Sequence, residues 1–171
     1  MMSSQPSSSD LPQDVFQQLH PEVQRWIWDR GWTSLRDIQV QAIDTVLRGT
    51  SDALIAASTA SGKTEAAFLP ILSWVAANPG DGIQAVYVGP LKALINDQFQ
   101  RLEDLCDRLN LPVTKWHGDA SASQKKKLRE RPAGILLITP ESREALLLRQ
   151  PEAIQPMFGK LKFVVIDELH A

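Results

Sequence analysis

The apolar positions near the start of the chain recur with a helical period. Phe16, Leu19, Val23 and Ile27 fall on one face of a predicted helix, and Gly31 is a plausible point for that helix to end. A second helix is predicted over residues 37–47, where the inward positions again have helical spacing. The first third of the chain is therefore expected to be helical.

From about residue 53 onwards, short apolar runs alternate with longer amphipathic segments. Runs of this length predict strands buried on both faces, here at residues 53–56, 86–88, 113–116, 135–138 and 163–166. The segments between them predict helices at about 63–77, 94–109, 121–130 and 141–148. Buried strands joined by helices predict an α/β fold with an open parallel sheet and helices on both faces.

Composition narrows the class of protein. The chain has 171 residues, of which 43% are hydrophobic, enough for one buried core and one domain. The net charge of −2 gives no overall basic field for nucleic acid, so any such contact must be local. The triplet Lys125–Lys127 is the one basic cluster, interpreted as a solvated helix face in preference to a phosphate-binding patch.

Cellular location is predicted from the single cysteine and from the termini. Cys106 cannot form an intramolecular disulfide, which favours a reducing compartment, and it is expected to be a core residue. Residues 1–11 are polar and serine-rich, so we expect a disordered tail without a signal peptide. The apolar runs are too short to cross a bilayer. We expect a cytoplasmic protein without membrane contact.

A candidate phosphate-binding loop follows the first predicted strand and opens a predicted helix. There, backbone N–H groups and the helix N-terminus can face phosphates, with Lys63 neutralising their charge and the Thr64 hydroxyl binding Mg²⁺. Alone, Gly-Lys-Thr is common and could be an ordinary helix start with an exposed lysine. The loop residues are Ala57, Ser58, Thr59, Ala60, Ser61, Gly62, Lys63 and Thr64.

A pair of carboxylates directly follows the last predicted strand, where a parallel sheet places its functional site. Asp167 would hold Mg²⁺ through water, and Glu168 would polarise an attacking water. An isolated Asp-Glu pair is usually an exposed acidic turn. The phosphate-binding loop earlier in the chain favours the catalytic interpretation.

Together these two segments resemble the Walker A and DExH motifs of superfamily 2 helicases, and the resemblance adds His170 to the catalytic set. Residues 31–39 resemble the Q motif, in which Gln39 would recognise adenine. Trp32 would then lie near the base, or pack between the first two helices. Ala60 replaces a glycine common in the family's loop, which puts the loop geometry or the phosphate affinity in question.

Two further segments resemble motifs Ia and Ib, which touch the nucleic-acid backbone in this family, and residues 116–119 resemble the family's glycine-containing loop. Thr-Pro-Glu before a helix is also an ordinary capping sequence. The resemblance implies nucleic-acid contacts at Pro90, Leu91, Lys92, Gly118, Thr139, Pro140 and Glu141.

The large helicase-related (Lhr) branch is the most similar part of the superfamily, on residues 91–98, 116–119 and 167–171. The resemblance implies that residues 12–171 are the N-terminal part of a first RecA-like domain, with a sheet incomplete at its C-terminal end. A second RecA-like domain, in the same or another chain, would complete the ATP site. The isolated chain is expected not to unwind a duplex.

The sequence therefore predicts the ATP-binding part of an ATP-dependent helicase or translocase that uses ATP and Mg²⁺ and acts on DNA in preference to RNA. One alternative is another P-loop NTPase or a kinase, which would leave the Q, Ia and Ib resemblances unexplained. The other is a regulatory nucleotide-binding or interaction fragment without motor activity.

Overall fold

The computed structural model describes residues 13–58 and 61–168, which form two compact units that divide between Trp74 and Val75. The expected tail over residues 1–11 lies outside the described residues. In the described ranges, no helix combines the length and the apolar character needed to cross a membrane.

The first unit is helical. It contains α1 (Gln13–Gln17), α2 (Pro21–Asp29), α3 (Asp37–Arg48) and most of α4 (Lys63–Ala77), which ends in the second unit. The predicted apolar face near the N-terminus is divided between α1 and α2, because Pro21 starts a new helix at its first position. The Nδ1 atom of His20 caps that helix by accepting a hydrogen bond from the Glu22 N–H at 3.3 Å.

The strand predicted at residues 53–56 is wrong. These residues form no regular secondary structure, and the Leu54 side chain is 84% exposed. A short apolar run becomes a strand only when a neighbouring strand accepts its backbone hydrogen bonds. None of the strands in the described part of the chain pairs with this run.

The second unit is an α/β layer structure that confirms the predicted parallel sheet. Its strands β1 (Gly82–Val88), β2 (Val113–Trp116), β3 (Ala133–Ile138) and β4 (Phe163–Ile166) are all parallel, in the order β2-β3-β1-β4. Four helices complete it: α5 (Lys92–Arg108), α6 (Ala122–Glu130), α7 (Pro140–Arg149) and α8 (Pro151–Phe158). Helix α8 was not predicted, because its eight residues follow α7 without a loop.

Helices cover both faces of this sheet. On one face, Val86, Val88, Leu136 and Ile138 form a core cluster with apolar side chains from α6, α7 and α8. On the other face, Lys115 of β2 lies over the Phe99 ring of α5, with 4.3 Å between its Nζ and the ring centroid. Helix α5 also buries Cys106 completely, as expected for a core residue.

Strand β4 lies at an edge and is only partly buried, contrary to the prediction that it is buried on both faces. Val164 is 56% exposed and Ile166 is 54% exposed, whereas Phe163 and Val165 are partly buried. Exposure therefore alternates with the two-residue period of a strand. In the described part of the chain β4 pairs with β1 alone.

Candidate nucleotide and nucleic-acid sites

The predicted phosphate-binding loop leads directly into α4, which begins at Lys63 as expected. The Ser61 N–H donates to the Ser58 carbonyl oxygen at 3.3 Å, and the Ala66 N–H donates to the Gly62 carbonyl oxygen at 2.9 Å. Gly62 has a φ of +89°, a conformation that favours glycine. Thr59 and Ala60 lie outside the described residues, so the expected effect of alanine at position 60 stays a prediction.

Lys63 folds back over its own loop. Its ammonium donates to the carbonyl oxygen of Ala57 at 2.7 Å and to that of Ser58 at 3.3 Å. These acceptors are neutral carbonyls, and a phosphate would form stronger, charge-assisted hydrogen bonds with the same ammonium. Lys63 therefore lies at the mouth of the loop with contacts that an anion can replace.

Ser61 supports the same interpretation of the loop. Its Oγ atom is buried and has no hydrogen-bond partner within the described part of the chain. Buried hydroxyls without a partner are uncommon and call for a ligand or an ordered water. Thr64, the second residue of α4, is partly buried. The loop thus offers an ammonium and two hydroxyls beside a helix N-terminus, a set that fits an oligophosphate with its Mg²⁺.

Gln39 lies against this loop. Its side chain is 2% exposed, and its Oε1 atom accepts a hydrogen bond from the Arg36 N–H at 2.9 Å, which caps the start of α3. A Cβ atom added at Gly62 would lie 2.8 Å from Gln39 Nε2, so a larger residue at position 62 would displace the amide. The amide is thus fixed between α3 and the loop.

Trp32 packs against another aromatic residue. Its ring meets that of Trp26 edge-on, with 5.8 Å between the centroids. Trp26 is buried, and the Arg30 guanidinium lies 3.7 Å from the Trp26 ring centroid. Of the two roles considered for Trp32, these contacts favour packing.

The acidic pair lies at the carboxyl end of β4, in the second unit. The Asp167 N–H donates to the Val88 carbonyl oxygen at 3.0 Å, which continues the pairing of β4 with β1. The two carboxylate oxygens of Asp167 accept from different donors: Oδ2 from the Tyr87 hydroxyl at 2.5 Å, and Oδ1 from the Glu168 N–H at 2.9 Å. Asp167 is therefore held in one orientation.

Glu168 has an unusual backbone conformation, and Tyr87 has an unusual pKa. Glu168 is exposed and has a φ of +53°, a left-handed conformation that is rare outside glycine and clusters at functional sites. Burial, and then the hydrogen bond to Asp167, raise the pKa of Tyr87 well above its ordinary value, so its hydroxyl remains a donor at neutral pH. His170 lies outside the described residues.

The predicted nucleic-acid residues follow three neighbouring strands of the same sheet. Val88 and Trp116 both pair with Ile138, so the segments after β1, β2 and β3 leave the sheet at one edge. Helices α5 and α7 begin at this edge, and their first N–H groups are the kind of donors that bind phosphates. The predicted residues at this edge are Pro90, Leu91, Lys92, Gly118, Thr139, Pro140 and Glu141.

Their side chains differ in accessibility. Leu91, Lys92, Gly118 and Glu141 are exposed. Thr139 is 4% exposed and caps α7, since its Oγ1 atom accepts from the Ser142 N–H at 3.4 Å. Thr139 thus has the capping role considered from the sequence, which leaves backbone groups as the donors at this point.

Lys92 meets the loop after β2. Its Nζ atom lies 2.7 Å from Asp119 Oδ2, and a Cβ added at Gly118 would be 3.5 Å from the same nitrogen. The hydrogen bond from Lys92, together with its charge, lowers the pKa of Asp119. The structure therefore brings Lys92 and Gly118 together, and their contact with nucleic acid stays a prediction.

Two residues of these sites were not predicted. Tyr87 is the chain's only tyrosine, but it lies 80 positions before Asp167, and only the order of the strands brings the two together. Asp119 was included in the glycine-containing loop without a role, and its contact with Lys92 spans 27 positions of sequence. The cluster Lys125–Lys127 lies on α6, where Lys126 and Lys127 are exposed, as a solvated face requires.

Residues 36–171 match the family model of the DEAD/DEAH box helicases. The chain belongs to this family. It is 30% identical over 169 residues to the ATP-dependent helicase Lhr-Core of Methanothermobacter thermautotrophicus, covering 90% of this chain and 19% of that protein. It is 32% identical to the ATP-dependent helicase YprA of Bacillus subtilis, covering 82% of this chain and 19% of YprA. The predicted kinship with the Lhr branch is confirmed.

Solved structures agree with this assignment. The helicase MrfA bound to DNA and AMPPNP has a TM-score of 0.80 and 28% identity, and covers 94% of this chain and 22% of MrfA. The helicase Lhr of Mycobacterium smegmatis bound to ssDNA and AMP-PNP has a TM-score of 0.79 and 26% identity, and covers 91% of this chain and 21% of Lhr. The predicted RecA-like α/β fold is confirmed. This chain spans about a fifth of the length of these relatives.

Proposed function

We propose that this chain binds ATP through the loop between Ala57 and Thr64. Two features of this loop carry the proposal: Lys63 is held by replaceable carbonyl contacts, and the Ser61 hydroxyl is buried with no hydrogen-bond partner among the described residues. Lys63 would bind the β- and γ-phosphates, and the N–H groups of the loop and of the first turn of α4 would bind the remaining phosphate oxygens. Relatives of the chain are named as ATP-dependent helicases.

Mg²⁺ would be held by Thr64 and, through water, by Asp167. In nucleotide enzymes this ion usually keeps several waters and takes only one or two protein ligands in addition to the phosphates. Such a site needs no dense cluster of ligands, and the described residues contain no group of three or more His, Cys, Asp or Glu side chains that could hold a metal. When bound, the ion would neutralise charge that develops on the phosphates.

Roles for the remaining residues follow from the family. Glu168, with His170, would orient and polarise the water that attacks the γ-phosphate. Gln39 would recognise adenine, and its fixed amide suits this role because a held donor and acceptor lose little entropy on binding. A second RecA-like domain, in the same or another polypeptide, would complete the site.

We propose DNA as the nucleic acid, bound along the edge that carries the starts of α5 and α7. Lys92 would contact a backbone phosphate, and helix N–H groups would contact its neighbours. Two relatives of the chain, MrfA and Lhr, are described in complexes with DNA, which favours DNA over RNA. The activity would be that of an ATP-dependent helicase or translocase in the cytoplasm. A nucleotide-binding fragment without motor activity is the competing function.

Calorimetric titration of the chain with Mg·ATP and Mg·ADP tests the nucleotide site. Lys63→Ala should abolish binding or weaken it by 10-fold or more, since charge-assisted hydrogen bonds to phosphate contribute about 1.5–3 kcal/mol. Lys126→Ala is the matched control, because Lys126 is exposed on α6 and its ion pair with Glu130 lies within the second unit. Equal affinities for wild type and Lys63→Ala would show that this loop is not the site.

A further inference from the structure

Tyr87 and Asp167 lie on the same side of the sheet, at the carboxyl ends of two paired strands. Tyr87 is the register partner of Val165, and Asp167 follows Val165 by two residues, so the three side chains share a face. The Tyr87 ring is 2% exposed, and its hydroxyl donates to Asp167 Oδ2 at 2.5 Å. The tyrosine of β1 thus reaches diagonally to the carboxylate that follows the neighbouring strand β4.

The hydrogen bond fixes a carboxylate that is otherwise held at one oxygen. Oδ1 of Asp167 accepts from the N–H of Glu168, its immediate neighbour, at 2.9 Å. With Tyr87 on Oδ2, rotation of the carboxylate would break at least one charge-assisted hydrogen bond. Each carboxylate oxygen has a second lone pair, so both oxygens can still accept hydrogen bonds from metal-bound water.

Gly89 provides the space in which the tyrosine ring lies. A Cβ atom at position 89 would be 2.7 Å from Tyr87 Cε1 and 3.2 Å from its hydroxyl oxygen. The glycine cannot move away easily, because its N–H donates to the Ile138 carbonyl oxygen at 3.1 Å and an added Cβ would also meet Ile95 at 3.3 Å. Any larger residue at position 89 would therefore displace the ring from Asp167.

A buried tyrosine usually needs an acceptor for its hydroxyl, and a backbone carbonyl would satisfy it as well as a carboxylate. Here the acceptor is the side chain expected to hold Mg²⁺, and the space for the ring is kept by the residue just before Pro90. We propose that Tyr87 is a positioning residue for Asp167. Gly89, which has no side chain, leaves the space that the Tyr87 ring needs in order to reach Asp167. This inference rests on the proposed function, because only the proposed function assigns a Mg²⁺ ion to Asp167.

The test measures nucleotide affinity as a function of Mg²⁺ concentration in the chain and its variants. Tyr87→Phe keeps the ring and removes the hydroxyl, and Gly89→Ala keeps the hydroxyl and displaces the ring. Each variant should raise about 10-fold the Mg²⁺ concentration that gives half of the maximal increase in nucleotide affinity. This is the lower end of the loss in metal affinity that follows removal of a group that orients a metal ligand. Nucleotide affinity without Mg²⁺ should not change. Gln84→Met is the matched control, since it removes a buried side-chain hydrogen bond to the Asn78 carbonyl from the opposite end of β1.

A spectroscopic readout is independent of nucleotide. Because the chain contains one tyrosine, ¹³Cζ-labelled tyrosine gives a single resonance that belongs to Tyr87. Asp167→Asn replaces the charged acceptor by a neutral one, so the resonance should move towards that of a more weakly hydrogen-bonded phenol. It should also move when Mg²⁺ and nucleotide are added to wild type. An unchanged resonance in Asp167→Asn would overturn the inference.

The outcomes separate this inference from the proposed function. If wild type binds no nucleotide, or if Asp167→Asn responds to Mg²⁺ as wild type does, the proposed function is wrong and the inference fails with it. If Asp167→Asn loses the response and Tyr87→Phe retains it at the wild-type Mg²⁺ concentration, only the inference is wrong. If Tyr87→Phe and Gly89→Ala both need more Mg²⁺ for the half-maximal effect, and Gln84→Met needs the same concentration as wild type, the inference is supported.

Discussion

The Nζ atom of Lys92 lies 2.7 Å from Asp119 Oδ2, joining the first residue of α5 to the loop after β2. Both side chains are largely exposed, and the lowered pKa of Asp119 keeps its carboxylate ionised at neutral pH. A phosphate that approaches this edge of the sheet therefore meets a lysine whose charge already has an anionic partner. Asp119 should compete with nucleic acid for Lys92.

Substitutions at these two positions should have opposite effects on affinity for single-stranded DNA. Lys92→Ala should weaken binding and reduce the slope of log K against log salt by about 0.7, the value for one phosphate contact on a single strand. Asp119→Asn should strengthen binding by releasing Lys92. Fluorescence anisotropy over a range of salt concentrations measures both. If Asp119→Asn weakens binding, Asp119 orients Lys92 for DNA, and the competition model is wrong.

Gln39 has a structural hydrogen bond as well as its proposed role, and two measurements distinguish them. Gln39→Glu keeps an acceptor for the Arg36 N–H but loses the amide donor and places a carboxylate at a buried position, so it should lose thermal stability and preference for ATP over GTP. Gln39→Ala should lose both, with a stability cost of about 1 kcal/mol for the lost cap. Competition between the two nucleotides and thermal melting provide the measurements. An unchanged nucleotide preference in both variants would leave Gln39 with the capping role alone.

Glu168→Gln should lower ATP turnover much more than nucleotide affinity. The amide occupies the same space but cannot accept a proton from water, and general-base groups contribute about 10²–10⁴ in rate. Single-turnover hydrolysis and calorimetry measure the two effects separately. Glu130→Gln, a substitution on the exposed face of α6, should change neither. A parallel loss of affinity and rate in Glu168→Gln would assign Glu168 to binding.

Cys106 should report unfolding of the second unit. Burial, and to a smaller extent the charge of Asp107, raise the pKa of its thiol from 9.0 to about 12. The unfolded chain therefore ionises first, so stability is unaffected below about pH 9 and falls as the pH rises towards 12, by at most about 1.36 kcal/mol per pH unit. Cys106→Ala should remove this component of the alkaline loss.

A thiol reagent at pH 8 provides a direct check on Cys106. The chain should react with it only when denaturant unfolds the second unit, and then with one equivalent, because the sequence contains a single cysteine. Rapid reaction under native conditions would mean that α5 opens far more readily than its burial indicates.

The edge of β4 should promote self-association. Val164 and Ile166 are exposed apolar residues of a strand that, among the described residues, pairs only with β1, and such edges pair readily with other chains. Val164→Lys should shift sedimentation profiles at micromolar concentrations towards the monomer. Leu148→Lys removes an even more exposed apolar side chain from helix α7 and should have no such effect. Identical profiles for wild type and Val164→Lys would assign any association to another surface.

A strand could be predicted from the sequence only where its segment pairs with a neighbouring strand in the folded chain. Residues 113–116 and 163–166 were predicted with their observed bounds, because short apolar runs between amphipathic helices leave few alternatives. Residues 53–56 have an equally apolar pattern and form no strand. Whether a strand pairs depends on the tertiary fold, and the apolar pattern of a single segment does not predict it. For the same reason the exposed side chains of β4 could not be predicted.

The site was predictable where the chemistry is local in sequence. Lys63 starts α4 and Thr139 caps α7, and both properties follow from adjacent residues. The contacts of Asp167 with Tyr87 and of Lys92 with Asp119 join residues 80 and 27 positions apart. Only the order of the strands brings such residues together, and that order is not readable from hydrophobic spacing.

The close approach of position 89 to the Tyr87 ring has an evolutionary consequence. A methyl group at position 89 is compatible with this backbone only if the ring at position 87 shifts or is replaced by a smaller side chain, because the two would otherwise overlap. Among homologues, glycine at position 89 should therefore be retained wherever a tyrosine at position 87 holds the acidic motif. Lineages that have lost the glycine should hold the acidic motif by other means.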